Sequence, residues 1–201
     1  MSTPILEEGK TMRTAYFPGE LWFNFHTGEA HPAKSLGIVE NGLTDLVPLF
    51  IRSGHIVFQQ NVQNVTKSRE LDNRFILVGG FKLATSNSTT ITYTAQGGLL
   101  SAADYNNEED IQKCLSENCD YAISAVLVIN KLSREKQLSL SYEFIGKSIK
   151  NGQKITQFII YTEDEVAKFI PTDEVEIYGT GSKIITFKWS SWIVNYTIAS
   201  T

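Results

Sequence analysis

Leu46–Gln60 sets the terms for the rest of the chain. Its two apolar runs, Val47–Ile51 and Ile56–Phe58, flank the polar hinge Arg52-Ser53-Gly54. Both runs are strand-length and rich in β-branched or aromatic side chains, and glycine enters positive φ without a Cβ penalty, so they predict two core strands around a sharp bend. The stretch holds no nucleophile, no paired carboxylates and no ligand cluster. It is a framework element, not a reaction centre. Arg52, just past a core strand, is expected to fork to a carboxylate or to backbone carbonyls and so tie the framework together.

Similar short runs recur along the chain. Thr14–Phe17 and Leu21–Phe25 surround Pro18-Gly19, a pairing that predicts a hairpin, with Phe23 and Phe25 on one strand face as core. Residues 27–44 are polar and Gly-punctuated and predict a loop with at most one short strand. Phe75-Ile-Leu-Val78 is a further strand, and the Thr85–Thr90 tract suggests a boundary near residue 84. Beyond it come Ile91–Ala95, Tyr121–Ile129, Leu138–Ile145, Lys154–Tyr161, Val175–Tyr178, Lys183–Trp189 and Trp192–Ile198. Between the first two lies one helix signal, with Asn106 or Asn107 as cap, Glu108, Glu109 and Asp110 in the first turn, and Ile111, Cys114 and Leu115 at i, i+3 and i+4. The expected fold is all-β, two antiparallel β-sandwiches in tandem over residues 1–84 and 85–201, with one short helix in the second.

Charge and motif content exclude several function classes. A net charge of −4, with no basic stripe interleaved with aromatics, argues against nucleic acid as a partner. No apolar run reaches the roughly 20 residues of a membrane span, and no leader pattern follows Met1. Phosphate-loop, dinucleotide and Gly-x-Ser-x-Gly motifs are missing, and His26, His31 and His55 stand at no metal-ligand spacing, so no catalytic residue, metal or cofactor is expected. For Cys114 and Cys119, a local disulfide, if the helix ends between them, and two free thiols both fit. Asn64, Asn87 and Asn195 open N-x-Thr sequons that can accept a glycan. Trp189 and Trp192, flanking Ser190-Ser191, could form a carbohydrate-stacking platform if the serines bend the strand; on a straight strand they face opposite ways.

Several ordered segments resemble the C-terminal region of glycoside hydrolase family 31, the α-glucosidase, maltase and sucrase-isomaltase family. Met1-Ser-Thr-Pro-Ile-Leu-Glu-Glu-Gly9 is similar to the segment at the last strand of the family's catalytic barrel. Ala15-Tyr-Phe-Pro-Gly-x-Leu-Trp22 with Phe23-Asn-Phe-His-Thr27-Gly28, then Pro48-Leu-Phe-Ile-Arg52-Ser-Gly54-His-Ile56 and Thr66-Lys-Ser-Arg69, resemble its later signatures. Asn24 stands where the family usually has Asp, the acidic stretch opening the distal region is replaced by Ile91–Gly98, and the Cys114 helix looks like an insertion. The resemblance implies a proximal and a distal sandwich, structural roles for Trp22, Pro48, Arg52 and Gly54, and as partner the catalytic (β/α)8 barrel of the same parent protein. It implies retaining α-glucoside hydrolysis by carboxyl groups on barrel strands outside this chain. The expected function is therefore a non-catalytic accessory region bracing that barrel, in a secreted, lysosomal or ER-lumenal setting if the parent carries a signal peptide. A barrel-less relative binding an α-glucan or a protein partner is the alternative.

Overall fold

The computed structural model describes residues 1–40, 47–60, 74–100, 120–145, 153–163, 166–169 and 175–187. Every helix or strand among them is a strand, so the all-β expectation holds; the expected helix around Cys114 lies outside the described residues.

The strands form three sheets. β1 (Met12–Phe17) and β4 (Ser35–Glu40) make an antiparallel ribbon. β2 (Trp22–Asn24) lies between β3 (Ala30–His31) and β5 (Phe50–Arg52). The expected hairpin across Pro18-Gly19 is corrected here. The turn exists, with Gly19 at φ 71°, but β1 and β2 leave it for different sheets. The reason is the partner each finds: Ala15 and Phe17 of β1 bury against Val39 of β4 and Phe50 of β5, whereas Phe23 of β2 buries with Ile51, Val78 and Tyr161. Residues Met1–Thr3 run antiparallel to Pro48–Phe50, with Thr3 N donating to Pro48 O at 3.0 Å and Phe50 N to Met1 O at 2.8 Å.

The third sheet holds the remaining strands: β6 (His55–Gln60), β7 (Arg74–Gly80), β8 (Lys82–Ser86), β9 (Thr90–Leu100), β10 (Asp120–Asn130), β11 (Lys136–Ile145), β12 (Gln153–Tyr161), β13 (Val166–Phe169), β14 (Val175–Ile177) and β15 (Gly181–Phe187). Its order is β13-β12-β7-β6-β9-β10-β11-β15, with β14 added to β12 and β8 to β9. It is mixed where antiparallel pairing was expected. β7 runs parallel to β12, and β6 meets β9 in parallel at His55 and Gln96, because a long excursion separates each pair in sequence and parallel neighbours need such a crossover. β6 and β7 precede residue 84 and the others but β8 follow it, so one sheet draws strands from both sides of the expected boundary, and the Thr85–Thr90 tract spans the end of β8, the turn at 87–89 and the start of β9.

A sheet of this many twisted strands tends to curl, and its inner side chains meet in one core. Leu77, Phe81, Leu127, Leu138, Leu140, Ile155, Phe158 and Ile177 are fully buried there. Each such aliphatic or Phe side chain stabilises the fold by about 1.5–3 kcal/mol. β7 explains why Phe75-Ile-Leu-Val78 reads as an unbroken apolar run. Phe75 and Leu77 enter that core, while Ile76 and Val78 point to the opposite face and pack with Phe23, Ile51 and Tyr161 beneath the three-stranded sheet.

Candidate functional site

The Trp22–Gly28 segment is a latch. At the end of β2, the Asn24 side-chain oxygen accepts from His26 N at 2.9 Å and Thr27 N at 3.1 Å, an Asx turn that reverses the chain. Either oxygen of an aspartate would accept the same bonds, so an Asn or an Asp would hold this turn in the same geometry. Gly28 closes the loop by donating to Asn24 O at 2.8 Å, with φ 78°. A Cβ there would lie 2.4 Å from Val166 Cγ2 and 2.8 Å from the Tyr161 ring. Tyr161 in turn donates its hydroxyl to Phe25 O at 2.7 Å and stacks on Phe23 with centroids 6.0 Å apart. Sequence reasoning missed Tyr161: it lies well over a hundred residues from its partner, and nothing local marks a tyrosine whose hydroxyl will be needed by a distant carbonyl.

The corner at Arg52-Ser53-Gly54 matches the bend expected from the sequence. Gly54 takes φ 80°, receives Gln96 N on its carbonyl at 2.9 Å and donates to Gly80 O at 2.7 Å, so this one residue joins β5 to both neighbours of β6. Trp22 sits opposite Arg52 in register and donates its indole N–H to Pro18 O at 2.7 Å. Pro48 is buried and offers its carbonyl to Thr3. Arg52 pairs with Glu20 at 3.4 Å, and Glu20 also receives Lys82 at 2.8 Å. The hydrogen bond from Lys82, with the positive charges of Lys82 and Arg52, holds the Glu20 carboxyl below its usual range despite partial desolvation. All three side chains are solvent-accessible, so the cluster guides the corner more than it secures it.

The β1–β4 ribbon has two unlike faces. Its inner face buries Ala15, Phe17 and Val39. His31 lies under it, 8% exposed, stacked on Phe17 at 4.4 Å and edge-on to Phe50, with Nε2 lacking a hydrogen-bond partner. Burial pushes the His31 pKa down, and the nearby Glu29 charge opposes that only partly. The outer face carries Met12, Tyr16, Leu36 and Ile38, with Leu36 73% and Ile38 64% exposed. Tyr16 faces Leu36 and Thr14 faces Ile38 in register, so the apolar groups are contiguous across the two strands. Beside them a groove is lined by Ile5, Leu6, Met12, Thr14 and Ile38 together with Arg13 and the ion-paired Glu7 and Lys10. Isolated exposed apolar residues are ordinary, whereas these lie together on one registered face.

His26 and His55 are ordinary surface histidines, bonded to Val47 O at 3.3 Å and Ser53 O at 3.1 Å. Among the described residues no group of three or more His, Cys, Asp and Glu side chains is placed to hold a metal. No helix among them is long and apolar enough to cross a membrane. Cys114, Cys119, Asn64, Asn195, Trp189 and Trp192 lie outside the described residues.

Residues 1–57 match the model of the glycosyl hydrolase family 31 C-terminal domain. The lysosomal acid alpha-glucosidase of Tetrahymena pyriformis is 32% identical over 124 residues, 60% of this chain and 12% of that protein. Human intestinal sucrase-isomaltase is 33% identical over 78 residues, 38% of this chain and 4% of that protein. Among solved structures, a family 31 alpha-xylosidase from Xanthomonas citri aligns over 92% of this chain and 18% of its own, with 17% identity and a TM-score of 0.49. A family 31 dextranase from Flavobacterium johnsoniae aligns over 79% of this chain and 18% of its own, with 14% identity and a TM-score of 0.45. The chain thus spans a small part of the length of each of these proteins.

Proposed function

With the family 31 C-terminal domain match covering residues 1–57, we propose that this chain is a non-catalytic accessory region of a retaining α-glucosidase-type hydrolase, seated against the catalytic barrel of the same parent protein. The observation that carries this is the outer face of the β1–β4 ribbon. Met12, Tyr16, Leu36 and Ile38 lie inside the matched segment and expose large apolar surface on one registered face. Covering what remains exposed of Leu36 or Ile38 would contribute about 1–2 kcal/mol each, a gain available to an intramolecular partner without the cost of bringing two molecules together. The chain's own role is positional: Phe50 and Trp22 back the inner face of the ribbon, and the chemistry belongs to carboxyl groups on the barrel.

The test is Leu36→Gln with Ile38→Thr, made both in the isolated chain and in the parent protein. The isolated chain should be nearly unaffected, since both side chains already face water and surface changes usually stay within about 0.5 kcal/mol. The parent should melt earlier and lose α-glucosidase activity faster on heating. Unchanged melting of the parent, or a parent gene encoding no barrel, would sink the proposal. If the barrel is missing and the isolated chain titrates with an α-glucan in a manner lost on Trp189→Ala or Trp192→Ala, the chain is a stand-alone carbohydrate-binding module.

A further inference from the structure

The β8–β9 turn carries the sequon Asn87-Ser88-Thr89, and its hydrogen bonding divides the Asn87 amide into two unlike ends. The oxygen end is fully engaged. Asn87 Oδ1 accepts from Thr89 N at 2.9 Å, Thr90 N at 2.7 Å, and the hydroxyls of Thr89 and Thr90 at 3.1 Å each. The backbone closes the same turn, with Asn87 N donating to Thr90 O at 2.9 Å. A second hairpin buttresses it: Lys131 of the β10–β11 turn donates from its backbone N to Thr89 O at 2.8 Å and from Nζ to Asn87 O at 2.5 Å. The nitrogen end, Nδ2, has no hydrogen-bond partner among the described residues, and Lys82–Thr89 are all exposed.

From this we infer that Asn87 is an N-glycan acceptor, modified when the chain passes an oligosaccharyltransferase using a lipid-pyrophosphate oligosaccharide donor. In that step Nδ2 forms a bond to the anomeric carbon of the donor sugar. The bond from that carbon to the pyrophosphate oxygen breaks, its electron pair leaves with the lipid pyrophosphate, and one Nδ2 proton passes to a base. The amide carbonyl is untouched, so all four bonds to Oδ1 survive the modification and the turn is the same before and after it. Thr89 supplies the hydroxyl residue of the N-x-Thr acceptor pattern, on an exposed turn, with its Oγ1 3.1 Å from Asn87 Oδ1. The placement also has a consequence for the sheet. β8 pairs with β9 alone among the described strands, and a glycan at its tip would cover the approach to its free edge, the side on which another strand could add.

The inference is independent of the ribbon's partner. It is tested by expressing the full chain behind a cleavable secretion signal in eukaryotic cells, with a reporter sequon after Thr201. Peptides are then mapped after amidase deglycosylation in 18O-water, which marks each formerly glycosylated Asn as 18O-labelled Asp. The expected result is label at residue 87, abolished by Thr89→Ala, retained in Thr89→Ser and retained in Thr90→Ala. Recovery of the Asn87 peptide wholly unmodified while the reporter sequon is labelled would overturn it, as would label that persists in Thr89→Ala.

Discussion

Gly28→Ala is the sharpest test of how the amino-terminal part of the chain is held to the large sheet. Two separate penalties meet at this residue. The first is conformational: Gly28 sits at φ 78°, where an L side chain costs about 1–2 kcal/mol. The second is steric: the new methyl would stand 2.4 Å from Val166 Cγ2 and 2.8 Å from the Tyr161 ring. Over-packing a filled site of this kind costs about 1–3 kcal/mol more. The sum, about 2–5 kcal/mol, converts at about 2–4 °C per kcal/mol for a chain of this size into a melting point lower by about 4–20 °C.

The two terms separate by comparison with Gly9. That residue has φ 76° and nothing within 4 Å of an added Cβ, so Gly9→Ala carries the conformational penalty alone. Thermal unfolding followed by circular dichroism, with urea titrations to verify an unchanged m-value, should place Gly28→Ala well below Gly9→Ala. Val166→Ala added to Gly28→Ala should recover part of the difference, whereas in the wild-type background it should only destabilise. A Gly28→Ala variant as stable as Gly9→Ala, or a double variant that shows no coupling, would refute the packing of this loop on Tyr161 and Val166.

Other expectations follow from the same contacts. Tyr161→Phe keeps the ring on Phe23 but leaves Phe25 O without its donor, and should cost about 0.5–1.5 kcal/mol in a denaturant titration. Arg52→Ala should cost less than about 1 kcal/mol, and that small loss should shrink further at high salt, because its partner Glu20 is solvent-accessible and is also held by Lys82; a large, salt-independent loss would show that the guanidinium has a buried role. For His31 the folded pKa lies below its ordinary value of 6.5, so the unfolded chain takes up the proton first. Stability is therefore full above that value and falls on acidification through it, and His31→Phe should flatten this segment of the stability profile. Glu20, also lowered, acts in a separate window: its contribution is present above 4.5 and is lost as pH falls below that, a decline that Glu20→Gln should remove.

What the sequence made legible, and what it hid, divides along the range of the interactions involved. The bend at Arg52-Ser53-Gly54 could be read because its cause is local: a glycine at positive φ between two β-branched runs needs no distant partner to be recognised. The apolar run Phe75–Val78 could likewise be read as a strand, yet its meaning, a wall with a core on each face, required knowing what lay on both sides. The hairpin expected at Pro18-Gly19 failed for the same reason: the turn is local, but strand partners are chosen by burial, and Phe17 and Phe23 bury in different clusters. Polarity at the Thr85–Thr90 tract has a local cause. Its threonines and asparagine satisfy a tight turn inside a sheet, and composition alone does not distinguish such a turn from a linker. The ribbon face was hidden because Leu36 and Ile38 alternate with Gly37 and Val39 in a segment read as loop, so the apolar side of β4 emerges only once β1 supplies Tyr16 and Met12 beside it. An alternating strand with apolar residues on both faces has two surfaces to cover, and the inner one is already filled by Phe50 and His31. On the proposed function the outer one is the face that the barrel covers, and the Leu36 and Ile38 substitutions in the parent protein test that reading.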